Sequence, residues 1–145
     1  MKFIALISGL LLLTGCASSN EQVQDALGPC SKDQKVVVSD HITNQIKAIQ
    51  RFDFKKAYTY AAQSFQDSVS LSQFESVVTR QYQMLITNNG YSFTDCQSEP
   101  GYLIQNLVVD TNNGNIELTY RLTLIDKRLG VVAVTVKPSS FDLTT

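Results

Sequence analysis

The chain has 145 residues, 43% apolar and 17% charged, with 12 Lys+Arg against 13 Asp+Glu for a formal net charge of −1. That length and balance fit one globular domain around one core, and the near-neutral charge gives no argument for an anionic-lipid-binding surface or for nucleic acid, so no nucleic-acid partner is expected. A single His and the lack of any C-x-x-C spacing argue against a metal site, and no cofactor is expected.

The first 15 residues carry one charge, Lys2, and an apolar run from Phe3 to Leu13 interrupted only by Ser8 and Gly9. As a helix this run would be about 16 Å long, roughly half of what a spanning helix must cross. It therefore reads as the h-region of a secretory signal. An ordinary signal ends in an A-x-A-like site, whereas Leu13-Thr14-Gly15-Cys16 resembles the lipobox of bacterial lipoproteins. The resemblance implies that residues 1–15 are removed, that the Cys16 thiol is alkylated by a diacylglycerol and that the new amine is acylated. Three acyl chains, at about 0.8 kcal/mol per buried CH₂, would hold the chain permanently to a lipid membrane. Ala17 and Ser18 lack the aspartate that retains enterobacterial lipoproteins at the inner membrane. By the same resemblance, the expected address is the periplasmic face of the outer membrane.

Residues 16–35 are polar, punctuated by Gly28-Pro29 and without a sustained period, which is linker composition. Two cysteines remain once Cys16 carries lipid, and an even pair in an exported chain is a disulfide candidate. A Cys30–Cys96 bond would close a loop of about 67 residues, worth roughly 4 kcal/mol on the chain-entropy account.

The domain is expected over residues 36–137, followed by a tail at 138–145. Val38, Ile42, Ile46, Ile49 and Phe52 recur at spacings that place them on one face of a long helix. Asp53 is an N-cap signal for a short second helix with Phe54, Ala57, Tyr58 and Ala61 on one side. Ser70 with Gln73, or Ser72 with Glu75, can form a capping box for a third helix, whose inner face would carry Leu71, Phe74, Val77, Val78 and Tyr82.

After Asn88-Asn89-Gly90 the period changes from 3.6 to 2, with strands expected at Tyr91–Cys96 and Tyr102–Asp110. Asn112-Asn113-Gly114 is a hairpin signal. The following strand is the clearest, with Ile116, Leu118, Tyr120, Leu122 and Leu124 on one face and Glu117, Thr119, Arg121 and Thr123 on the other. Asp126 to Gly130 would turn the chain into a last strand, Val131 to Lys137. Helices followed by an antiparallel meander predict an α+β fold with the helices on one face of a curved sheet.

The run of Asp53-Phe54, Ala57-Tyr58, Ala61, Phe74, Val77-Val78 and Tyr82 resembles a bacterial family of unknown function with the cystatin-like fold of nuclear transport factor 2, the superfamily that includes SnoaL-like proteins. The resemblance implies a cone-shaped pocket between sheet and helices, which ketosteroid-isomerase-like and polyketide-cyclase-like relatives use for catalysis. Such chemistry needs a carboxylate base in an apolar cavity beside Tyr or acid donors. Asp40, Asp95, Asp110, Glu117 and Asp126 supply carboxylates, but their spacing singles out no pair. His41 is expected to be a boundary residue with a satisfied hydrogen bond. Tyr58, Tyr82 and Tyr120 read as core residues whose hydroxyls reach the rim. Arg121, Lys127 and Arg128 read as a solvated turn or a basic contact patch. Two functions follow as expectations: a non-enzymatic binding or assembly module for a protein, peptidoglycan fragment or small apolar ligand, or a pocket enzyme of the isomerase or cyclase type. An apolar cavity holding a carboxylate would favour the enzyme, and a cone filled by aromatic side chains the module.

Overall fold

The computed structural model describes residues 27–137. The expected leader, Cys16 as the expected lipidation site and the expected tail from Pro138 lie outside the described residues.

Helix α1, Lys32–Gln50, starts ahead of the expected boundary at Val36. Ser31 Oγ accepts from the Gln34 N–H and Gln34 Oε1 accepts from the Ser31 N–H, a capping box that satisfies two amides at the helix start. Upstream of it, Gly28–Pro29 forms strand β1 opposite Ser98 and Gln97. Cys30 and Cys96 are disulfide-bonded with their Cα atoms 5.3 Å apart. The last part of the expected linker, residues 28–35, is thus built into the fold.

At its other end α1 stops before Phe52, which was expected on the apolar stripe. Phe52 takes the left-handed conformation, φ 59°. Its N–H donates to Ile49 O and the Asp53 N–H to Ala48 O, both at 2.9 Å. This pair of bonds closes the carbonyl end of the helix in the position usually held by glycine. Phe52 is consequently turned out of the core, 64% exposed.

Asp53 then caps α2, Phe54–Tyr58, by accepting from the Lys56 N–H at 3.0 Å. Helix α4, Leu71–Gln81, begins on Ser70 with Gln73, the first of the two candidate boxes. Phe74 and Val78 are buried on its inner face, Leu71 and Tyr82 are half-buried, and Val77 is exposed. Helices α3, Gln63–Ser68, and α5, Gln83–Ile86, were not expected. Each is too short for a 3.6-residue period to show.

Strands β2 (Gly90–Glu99), β3 (Tyr102–Thr111), β4 (Gly114–Ile125) and β5 (Arg128–Val136) complete a five-stranded antiparallel sheet in the order β1-β2-β3-β4-β5. The α+β order of the sequence is the order of the fold. Asp126 and Lys127 both have positive φ, 50° and 61°, the signature of a two-residue hairpin turn. Arg128 to Gly130, expected in the turn, therefore already belong to β5. Register shifts between Phe93 and Cys96 and between Arg121 and Leu122 mark irregularities that bend the sheet. Gln105 faces inward among apolar neighbours because it repairs the first of them. Its Nε2 donates to Asp95 O at 3.2 Å and to Asn106 O at 2.8 Å.

Ile42, Ile46, Ile49, Phe74, Val78, Leu118, Tyr120 and Leu122, expected to share one core, are all buried in one cluster. Ile116 is half-buried and Leu124 is 42% exposed, so the ends of β4 run past the helices. The helical layer is joined to the β5 edge by two main-chain bonds at 2.9 Å, Ala62 N–H to Val131 O and Val131 N–H to Tyr60 O. A Cβ at Gly130 would lie 2.5 Å from Ala62 Cα, so only glycine admits this approach.

Candidate functional site

The helices do not fill the space over β4 and β5. A cavity of about 260 Å³ remains there. Gln45 and Ile49 of α1, Phe65 of α3, Phe74, Val77 and Val78 of α4, Tyr82 and Leu85 form one side of its wall. Tyr120 of β4, residues 131–134 of β5 and Ala61 form the other. The exposed Val77 and the half-buried residues 132–134 mark its open side. Two larger clefts, one beside Phe52, Met84 and Ile116 and one beside Gln63, Gln66 and Asp126, have more polar walls.

Among the described residues, the wall of the apolar cavity holds no ionisable side chain except the phenols of Tyr82 and Tyr120. The Tyr82 hydroxyl donates to Val134 O and so spans from the helices to β5. Gln45 is buried and donates Nε2 to Ala57 O at 3.3 Å. Helical spacing puts Gln45 on the same face as Ile42 and Ile49, which was the available signal that it faces inward.

Tyr120 departs from expectation. Its ring is fully buried, and its hydroxyl does not reach the rim: it is sealed from solvent and has no hydrogen-bond partner among the described residues. Burial first, then the neighbouring phenols of Tyr91 and Tyr82, push its pKa far above the ordinary tyrosine value, so the group stays neutral. A buried hydroxyl without a partner costs about 1–3 kcal/mol. Tyr58, by contrast, spends its hydroxyl on Gln66 O and Val69 O.

The sequence-nominated carboxylates are elsewhere. Asp40, Asp95, Asp110, Glu117 and Asp126 are all exposed and none lines the cavity. Asp95 lies at the β2 irregularity, Asp126 in the β4–β5 turn, and Glu117 pairs with Lys137 at 3.1 Å. His41 donates Nε2–H to Tyr60 O at 2.8 Å and meets the Tyr60 ring edge-on. Burial lowers its pKa, and the bond to Tyr60 opposes that in part. Arg121 does not join Lys127 and Arg128. It lies on the outer sheet face, 3.8 Å over the Tyr102 ring. Among the described residues no group of His, Cys, Asp and Glu could hold a metal ion, and no helix is long and apolar enough to cross a membrane.

Compared with known protein families, residues 31–140 match a domain of unknown function, DUF4864. The chain belongs to this family. The DUF4864 match starts at Ser31, the cap of α1, and so takes in the helical layer, the four long strands and every residue of the cavity wall. No curated protein matches the chain.

Proposed function

We propose that this DUF4864 chain is a lipid-anchored envelope protein whose domain, of the nuclear transport factor 2-like type, binds a small apolar ligand without transforming it. The observation that carries the binding reading is the apolar cavity over β4 and β5, whose wall includes no carboxylate, imidazole or amine. Isomerase and cyclase chemistry needs a base within hydrogen-bond reach of the reacting atom. The five nominated carboxylates are on the surface instead. The anchor rests on Leu13-Thr14-Gly15-Cys16, and the placement on the outer membrane's periplasmic face rests on Ala17 and Ser18.

Two measurements test the proposal. Mass spectrometry of the membrane fraction should find residues 1–15 absent and Cys16 acylated, and a soluble, unmodified product would end the anchor reading. Protein extracted from its native membranes in mild detergent should carry a small apolar molecule that is lost when Val78→Trp fills the cavity. Equal recovery from the folded variant would place the ligand elsewhere.

A further inference from the structure

The cleft beside Phe52, Met84 and Ile116, about 690 Å³, shares no wall residue with the apolar cavity. It lies between the corner that follows α1, the α4–α5 segment and the β3–β4 turn. Phe52 holds a left-handed backbone, φ 59°, that glycine would adopt at lower cost. This conformation turns the ring outward, 64% exposed, while the Phe54 ring steadies it edge-on with centroids 6.1 Å apart. A bulky side chain kept on strained backbone points to a function for what it presents. With the half-buried Met84 and Ile116, Phe52 gives the cleft an apolar seat. The polar side of the wall is one cation and several amides. Arg80 is exposed and pairs with no carboxylate among the described residues, and no Asp or Glu lines the cleft. One guanidinium matches the single charge of a carboxylate in a bidentate pair, whereas a phosphate group would stay partly uncompensated. The side-chain amides of Gln81 and Asn113, also on the wall, make no hydrogen bond among the described residues. Each offers donors and an acceptor, the complement of a peptide main chain.

We infer that this cleft binds a short extended segment of a partner protein in which an apolar side chain neighbours a carboxylate. The apolar group rests on Phe52, Met84 and Ile116, the carboxylate pairs with Arg80, and the main chain of the segment bonds to Gln81 and Asn113. At roughly 30 Å³ for each water-sized group, about 690 Å³ holds roughly 23 heavy atoms, a peptide of two or three residues. The site is independent of the apolar cavity, so the fate of either leaves the other undecided.

The test titrates the protein, extracted in mild detergent, with the N-acetylated and C-amidated dipeptides leucyl-aspartate, leucyl-asparagine and alanyl-aspartate and with hexanoate, followed by NMR. Leucyl-aspartate should bind about fivefold more tightly than leucyl-asparagine, the upper range for an exposed ion pair, and more tightly than alanyl-aspartate or hexanoate. Arg80→Gln should erase the preference for aspartate over asparagine. Phe52→Gly should weaken leucyl-aspartate binding about tenfold while the unfolding midpoint holds or rises, because glycine relieves the left-handed turn. Equal affinity for the aspartate and asparagine peptides, retention of the preference in Arg80→Gln, or unchanged binding in Phe52→Gly would overturn the inference. Weaker binding with a falling midpoint in Phe52→Gly would assign that side chain to the fold and remove it from the seat. Hexanoate binding as tightly as leucyl-aspartate would overturn the peptide class.

Discussion

The two halves of the helix–sheet interface are built differently. In the filled half, Val38, Ile42 and Ile46 of α1 and Leu107 and Val109 of β3 have no exposed surface, and the Cys30–Cys96 bond holds the edge. Around the cavity, α4 and α5 contribute only Phe74, Val78 and Leu85 as buried residues, and the space between them and β4 and β5 stays open. The same apolar residue types line both halves. One half is filled and cross-linked, and the other keeps its walls apart with main-chain bonds at Tyr60 and Ala62 and with the Tyr82 hydroxyl bridge. A rigid frame beside a hollow is what a preformed pocket requires.

The largest expected effect comes from opening the filled half. Cys30→Ala with Cys96→Ala should cost about 4 kcal/mol in urea unfolding on the chain-entropy account. Apolar probe binding by the surviving folded protein should persist, because neither cysteine touches the cavity wall. Ile46→Ala, at a side chain with no exposure, should cost about 2–5 kcal/mol. Val77→Ala at the open side should cost under about 1 kcal/mol, since surface truncations rarely cost more. Equal losses at Ile46 and Val77 would dissolve the distinction between the halves.

Gly130→Ala attacks the frame of the hollow half. The added Cβ meets backbone, so strand and Ala62 must separate, at about 1–3 kcal/mol and with weakened probe binding. Stability and binding both at wild-type level would show that this contact does not set the cavity's width. The smallest effect belongs to acid. The His41 pKa is lowered in the fold, so its contribution is full above about pH 6.5 and is lost as pH falls below that value, when the unfolded chain takes up the proton more readily. A unfolding midpoint that declines on acidification in the wild type should decline less in His41→Gln, and identical pH profiles would remove His41 from the account.

Legibility followed the range of the interactions. The α1 stripe, the Asp53 cap and the β4 alternation could be read directly, and the Ser70 cap as one of two candidates, because each depends on residues within a few positions of one another. The same local logic misplaced Phe52, since nothing in a 3.6-residue repeat says that the helix closes through a left-handed residue. It also missed α3 and α5, which contain barely a turn or two each. The start of α1 was legible in retrospect from Ser31 and Gln34, a capping pair hidden inside a polar stretch that read as linker.

By itself the sequence determined an α+β chain with these faces inward, and it offered Cys30 and Cys96 as a disulfide candidate, whose bond the structure supplied. It could not determine the cavity, because an empty volume belongs to no residue: it is what remains when α1, α4 and β5, distant along the chain, stop short of one another. Tyr120 shows the same division. Its inward direction follows from strand alternation, a property of the backbone alone. Whether its hydroxyl would find a partner, water or neither depended on what stood opposite it, and only the packing of α4, α5 and the sheet decided that.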